Sequence, residues 1–287
     1  MKDFFSELLK DIKKNKGAFA GLLLILIFIL LAIFAPLLSV YAPDQVIEGA
    51  LRLPPNSHFQ NYYFIFGTDD IGRDLFTRLL YGSRISLLVG LSVVVLAASL
   101  GTSLGLISGY FGGWTDRIIS RAMDFIMALP SVLFAIVIVA VLGPGLMNAI
   151  VAVSIVALPN FVRLIRAQVL AEKNKQYVQA AQLYGASHLR ILFKEILPNC
   201  MAPLIVQGSL GFSDGILNCA ALGFLGLGAQ APTPEWGTML SDARSFLESS
   251  PWMVNLPGLC ILTVVLSFNL LGDGLRDALD PRLKNRS

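Results

Sequence analysis

The sequence predicts an all-α, polytopic membrane protein with six transmembrane helices. Three observations carry that reading. The chain has 287 residues, of which 55% are hydrophobic and only 14% charged, whereas a soluble domain carries about 25% charged residues. Its apolar residues fall in blocks, and a helix needs roughly 20 of them to cross about 30 Å of hydrocarbon. Its basic residues gather in alternate loops between those blocks, as cytoplasmic loops of membrane proteins do.

The first span covers 18–40 and follows Lys10, Lys13, Lys14 and Lys16. Its apolar run exceeds the roughly 7–15 residues of a signal-peptide core, and Pro36 directly after Ala35 disfavours cleavage, so it reads as a retained anchor. The second span covers 85–109, the third 122–142, the fourth 146–162, the fifth 201–224 and the sixth 256–272. Gly143-Pro144-Gly145 breaks the chain between the third and fourth. Pro130, Pro159, Pro203 and Pro257 lie in or beside spans, which membrane helices tolerate when neighbours satisfy the freed carbonyls.

An even number of spans puts both termini on one side. With the N-terminus inside, the inner segments hold 17 basic residues: Lys2, Lys10, Lys13, Lys14, Lys16, Arg117, Arg121, Arg163, Arg166, Lys173, Lys175, Arg190, Lys194, Arg276, Arg282, Lys284 and Arg286. The outer segments hold 5: Arg52, Arg73, Arg78, Arg84 and Arg244. The inner side therefore takes the N-terminal segment 1–17, the loop 163–200 and the tail 273–287. The outer side takes 41–84 and 225–255, and 85–272 forms the five-helix core.

Both outer segments are too long to be plain connectors. Thr68 or Asp69 caps an expected short helix whose stripe of Ile71, Leu75 and Leu79 lies on the membrane surface. A second helix is expected from Gly237 to Leu247, with Trp236 and Trp252 in the interfacial belt.

Several function classes drop out. A net charge of +3 spread over short loops does not form a nucleic-acid surface. Cys200, Cys219 and Cys260 sit in or beside apolar blocks without metal spacing, as packed thiols do. No phosphate-binding G-x-x-x-x-G-K-[ST] loop occurs, and Gly223, Gly226 and Gly228 follow a membrane helix with no strand before them. The chain is read as neither an enzyme nor a cofactor carrier.

The most informative stretch is the inner loop from Tyr177 to Asn199. Tyr177, Ala181 and Tyr184 share one face at helical spacing, and Gly185 stands where a left-handed cap ends that helix. Ser187 caps a second helix with an apolar stripe of Leu189, Leu192, Phe193 and Ile196, and Pro198 stops it before the fifth span. The result is two short helices in an L. Their apolar faces suit either a docking partner or the bilayer surface.

This loop resembles the EAA motif of permease subunits in type I ABC importers, whose architecture is thereby implied. The motif falls on Gln179-Ala180-Ala181, Gly185, Glu195 and Leu197-Pro198, with Gln179 and Glu195 replacing the family's Glu and Ile, and the coupling loop that the resemblance implies also takes in Tyr177, Ala186, Ser187, Leu189 and Arg190. The stretch from Phe66 to Asp74 with Tyr81-Gly82-Ser83-Arg84, that from Leu222 to Gly228 with Pro232, Pro234 and Trp236-Gly237, and the tail from Gly272 to Asp277 with Asp280-Pro281 resemble the peptide and nickel branch. The chain is most similar to the second permease subunit of bacterial dipeptide importers, with nickel chelates, longer peptides and glutathione-like peptides as alternative cargo. The resemblance implies a multi-pass protein of the bacterial inner membrane with both termini cytoplasmic. It implies a heterodimer with a sister permease, two ATP-binding subunits that carry ATP and Mg²⁺, and an extracytoplasmic peptide-binding protein. It implies that Gly185 sets an elbow, that Ala180 and Ala181 allow close approach, and that the loop transmits force to the spans.

Other polar residues admit two readings each. Asp214, with Asn218 one turn later, either lines a translocation path or hydrogen-bonds between helices. Asp124 is expected to pair with Arg121 or a neighbouring loop, and Asn269 and Asp273 to end the sixth span. Gly101 and Gly105 mark a helix contact, within the subunit or to a partner. A gradient-driven carrier is the rival from another class, but it calls for inverted repeats and several intramembrane charges, and Asp214 is nearly alone.

Overall fold

A computed structural model describes residues 12–279. Lys2, Lys10, Arg282, Lys284, Arg286 and the Asp280-Pro281 pair lie outside the described residues. Helix α1 spans Lys16–Ile33, capped by the Asn15 carboxamide, which accepts from the Gly17 and Ala18 amides. The chain breaks at Phe34, and α2 (Ala35–Leu38) restarts with Pro36 in its first turn. The first expected span is thus interrupted near its outer end. A small antiparallel hairpin of β1 (Ser57–Phe59) and β2 (Tyr62–Phe64) follows, an exception to the all-α expectation.

The expected surface helix at Thr68 does not form. Asp69 accepts instead from the Ile71 and Arg73 amides, closing a turn, and Gly72 takes φ +92°. Thr68 pairs with Asp74 as an isolated bridge. Asp74 is the residue that caps, accepting from the Thr77 amide at 2.8 Å. Helix α3 then runs unbroken from Leu75 to Phe111, 37 residues or about 55 Å, and contains the whole second span. Leu75 and Leu79 are buried in the bundle, not laid on a membrane surface.

The third expected span is not one helix. It divides into α4 (Gly113–Met127) and α5 (Ser131–Leu142), which meet at 96°. Pro130 supplies no amide and pushes Leu129 out of the helical region, so the helix cannot carry through. Helix α6 spans Leu146–Glu172, reaching ten residues further inward than expected. After the inner loop come α9 (Leu197–Phe224), α10 (Trp236–Ala243) and α11 (Trp252–Leu279); α7 and α8 belong to the loop and are described with the site. Helices α1, α3, α6 and α11 are long and apolar enough to cross a membrane, and the α4–α5 pair makes a fifth candidate. Six crossings are therefore not reached on length and apolarity; α9 is long enough, but its polar residues dilute it. Asn269 and Asp273 lie inside α11, so neither caps its end.

Glycines set the close contact between α3 and α6. A Cβ at Gly101 would meet Phe161 Cβ at 2.5 Å, at Gly105 Ile165 Cβ at 2.8 Å, and at Gly109 Val169 Cβ at 2.7 Å. Three glycines four apart on α3 thus receive three side chains four apart on α6. The contact marked by Gly101 and Gly105 lies within the subunit, and Gly109 extends it.

The outer segments are pinned together by charge. Arg78, buried on α3, reaches the Asp69 carboxylate at 3.4 Å and donates to the carbonyls of Pro43 and Pro232. Trp236 is fully buried, not in an interfacial belt: its ring lies on Gly82 and its Nε1 donates to the Leu79 carbonyl. Glu235 caps α10, accepting from the Gly237 and Thr238 amides and the Ser86 hydroxyl. The sequence reading missed Glu235, because the usual capping residues are Asp, Asn, Ser and Thr, and a glutamate gives no such signal.

Overpacking the glycine contact should be costly. Gly105→Leu is expected to destabilise the chain by about 1–3 kcal/mol, read as a lower thermal midpoint in detergent. Gly258→Ala, which meets nothing within 4 Å inside α11, should not lower the midpoint and should raise it slightly, alanine being the better helix former.

Candidate functional site

The inner loop forms a rigid elbow. Helix α7 spans Gln176–Leu183. At its end the Gly185 amide donates to the Gln182 carbonyl and the Ala186 amide to the Ala181 carbonyl, each at 3.0 Å, while Gly185 takes φ +74°. This pair of bonds is a Schellman cap, and the contact that accompanies such caps joins Ala181 and Ala186 over the core. Ser187 then caps α8 (His188–Arg190), accepting from the Arg190 amide.

The second arm does not stop at Pro198. Ile191–Ile196 form a π-helical stretch, with the Leu197 amide bonded to the Leu192 carbonyl, and the chain passes directly into α9. Pro198 lacks an amide and its ring collides with the carbonyl four residues back. Widening the preceding turns relieves that collision without breaking the helix.

Packing decides which faces are hidden. Val178, Ile191, Leu192 and Ile196 are buried with Leu106, Ile165, Val169 and Cys200 at the inner end of the bundle. The expected stripes therefore split. Leu192 and Ile196 point inward, while Leu189 is 69% and Phe193 54% exposed. On α7, Val178 is the buried residue; Tyr184 is 92% and Leu183 88% exposed. Leu183 and Val178 escaped the sequence reading because an eight-residue helix offers several overlapping stripes.

Tyr177 braces the elbow. Its hydroxyl donates to Glu172 Oε2 at 2.6 Å and accepts from Asn199 Nδ2 at 3.2 Å. Burial, then the Glu172 bond, holds the phenol well above its usual pKa, so it stays a neutral donor. Glu172 also pairs with Lys175 at 2.7 Å. His188 Nδ1 lies 2.9 Å from the Tyr110 hydroxyl and ties α8 to α3. Gln179 is exposed and donates to the Asn174 carbonyl. Ala180 is half-buried, Glu195 contributes its carbonyl to Asn199 Nδ2, and Pro198 is exposed.

Two more ion pairs fasten this end. Arg166 grips Asp116 through two nitrogens, at 2.5 and 2.7 Å, and Asp116 also accepts from Ser108 and Ser120. Asp124 pairs with Arg163 at 2.7 Å, so of its two expected partners it takes the neighbouring segment 163–200 and not Arg121.

The second region is a cavity of about 400 Å³ beside α9. Asp214 and Asn218 both line it, joined by Gln207 of α9 and Asn160 of α6. Gln207, Asp214 and Asn218 recur at helical spacing on one face, with Gly211 and Gly215 among them. Asn218 donates to the Asp214 backbone carbonyl at 2.8 Å, so the expected bond between helices is not made by this pair. The sequence reading missed Gln207 and Asn160; the seven-residue spacing of Gln207 to Asp214 was an available signal, whereas Asn160 is brought in from α6 by packing alone.

The elbow's brace and cap make a local prediction. Tyr177→Phe should cost about 1–3 kcal/mol of local stability, and Gly185→Val about 1–2 kcal/mol from its left-handed φ. Hydrogen exchange of the α7 amides checks both, with α6 amides unchanged.

Comparison with known proteins sets these regions in context. Residues 101–285 match the family described as binding-protein-dependent transport system inner membrane component, and residues 3–55 match the N-terminal TM domain of oligopeptide transport permease C. The chain is 56% identical over 273 residues to the dipeptide transport system permease protein DppC of Escherichia coli, covering 95% of this chain and 91% of that one. It is 54% identical to the protein of that name from Alkalihalophilus pseudofirmus, over 97% of this chain and 90% of the other. It is 43% identical to the glutathione transport system permease protein GsiD of Pectobacterium atrosepticum, over 93% and 88%. Among solved structures, an inward-facing MetNI methionine ABC transporter chain superposes with TM-score 0.58 at 18% identity, covering 71% of this chain and 96% of that one, a likeness of fold.

Proposed function

The chain belongs to the binding-protein-dependent transport system inner membrane components, and from that premise we propose that it is the second permease subunit of an ATP-driven dipeptide importer. The dipeptide reading rests on what its relatives are named for. A glutathione permease at 43% identity keeps short peptides as the broader class.

One observation carries the coupling role: an apolar tip of Leu183, Tyr184, Leu189 and Phe193 stands exposed on a braced elbow whose second arm runs without a break into the cavity-lining helix. Such a tip suits a groove on an ATP-binding subunit, where apolar and aromatic anchors dominate association. Two ATP-binding subunits would hold ATP and Mg²⁺, and this chain would supply no catalysis. As they close, the elbow moves with them. Asp214 lies about 26 Å along the helix from Leu197, so a displacement at the tip reaches the polar face of Gln207, Asp214 and Asn218. A sister permease would face that cavity, and an extracytoplasmic binding protein would deliver peptide to its outer mouth. Both termini would be cytoplasmic in a bacterial inner membrane, with the elbow on the same side.

Gln179 has a limited part in this scheme. Its side chain already bonds the Asn174 carbonyl and presents no charge, so shape and apolar contact carry the docking.

The double substitution Leu183→Asp with Tyr184→Asp should weaken association with the ATP-binding subunits by about thirtyfold. Co-purification and peptide-stimulated ATP hydrolysis measure this; unchanged coupling in an inserted variant would reject the docking role. Asp214→Leu should lower uptake with co-purification unaltered, and normal uptake would remove Asp214 from the path.

A further inference from the structure

A second cavity lies on the flank of the bundle, away from the polar one. It is a cleft of about 540 Å³ between α1 and α3. Ile33 of α1 and Leu88 and Leu91 of α3 wall it, and Phe212 and Phe268, stacked with centroids 3.8 Å apart, form its floor. Its lining is apolar except for one side chain, Arg84. Arg84 sits toward the hairpin end of α3, and Leu91 lies two turns, or about 10 Å, deeper. Among the described residues Arg84 makes no ion pair; its guanidinium rests 5.7 Å from the centroid of the Tyr81 ring.

Arg84 is exposed, and an arginine at the edge of hydrocarbon carries its charge out to the interface, where lipid phosphates lie. No carboxylate among the described residues meets it, although Arg73 and Arg78 nearby on the chain have found Asp69. The bilayer offers an anion and an apolar chain on one molecule. Guanidinium binds phosphate through two parallel hydrogen bonds, and a cleft walled by leucine and isoleucine accepts an acyl chain. A transmembrane helix about 10 Å across would bury Arg84 further without itself providing the counter-charge.

We propose that this cleft is a lipid site: it holds one acyl chain of a glycerophospholipid from the leaflet at the hairpin end, with Arg84 on the lipid phosphate. The bound chain fills the space between α1 and α3 where glycines do not close it. Further inward, close approach does close α1 onto α11, with a Cβ at Gly21 meeting the Ser267 carbonyl at 2.5 Å. The lipid would thus brace the outer half of α1 against the core.

The test uses the full-length chain, purified with its partner subunits, in nanodiscs of phosphatidylglycerol carrying a diazirine on one acyl chain. After photolysis, labelled peptides are mapped by mass spectrometry. Labelling should concentrate on Leu88, Leu91 and Phe212 over Leu23, an exposed apolar residue of α1 outside the cleft. Arg84→Ala should reduce cleft labelling about tenfold, the scale of one charge-assisted hydrogen bond, and leave Leu23 unchanged. Leu88→Trp should displace the chain to the same degree with Arg84 intact. Equal labelling of the cleft and Leu23, indifferent to both substitutions, would overturn the proposal. So would a cysteine at position 88 that crosslinks to a helix of another subunit in place of lipid.

Discussion

Pro198 removes one backbone donor at the junction of the inner elbow and α9. In hydrocarbon or at its edge an unpaired carbonyl is expensive, and a helix that simply ended there would leave several. The chain answers by widening the helix over Ile191–Ile196 and continuing. The rest of the functional architecture depends on that answer. A stopped helix would have left a hinge between the elbow and the cavity, whereas the π stretch leaves one continuous rod. Its buried side chains, Ile191, Leu192 and Ile196, seat the rod on the ends of α3 and α6.

Those two helices in turn act as one body. Three glycines on α3 admit Phe161, Ile165 and Val169 of α6 to backbone contact, and Arg166 of α6 grips Asp116 just beyond the end of α3. Lys173 Nζ adds a bond to the Gly109 carbonyl at 2.9 Å, satisfying a carbonyl in the last turn of α3. At the other end, Arg78 joins segments far apart in sequence by bonding both Pro43 and Pro232 carbonyls. Ion pairs fasten both ends, half-exposed at Arg166–Asp116 and deeply buried at Arg78–Asp69, and the glycine contact of α3 with α6 lies between them.

Much of this was legible in the residues. Block length and polarity located the helices, and the elbow at Gly185 followed from one glycine between two amphipathic stretches. What was not legible depended on competition between near-equal local signals. Thr68, Asp69 and Asp74 all favour helix starts; Asp69 was diverted into a turn by Gly72, and Asp74 won. Trp236 has the composition of an interfacial residue, but Gly82 on a distant helix leaves a space that its ring fills. The stripes on α7 and α8 were visible, yet which side turned inward was decided by Leu106, Ile165 and Val169, outside the loop altogether. Pro198 reads locally as a terminator, and only tertiary support turns it into a bulge.

The cap at Gly185 has one more consequence. Its two hydrogen bonds run between backbone atoms of the same short loop, so the angle of the elbow is set before any other subunit arrives. Fixing the backbone of one residue costs about 1–2 kcal/mol, and at this elbow the cap has already fixed it. The elbow is a finished casting, not wax to be moulded.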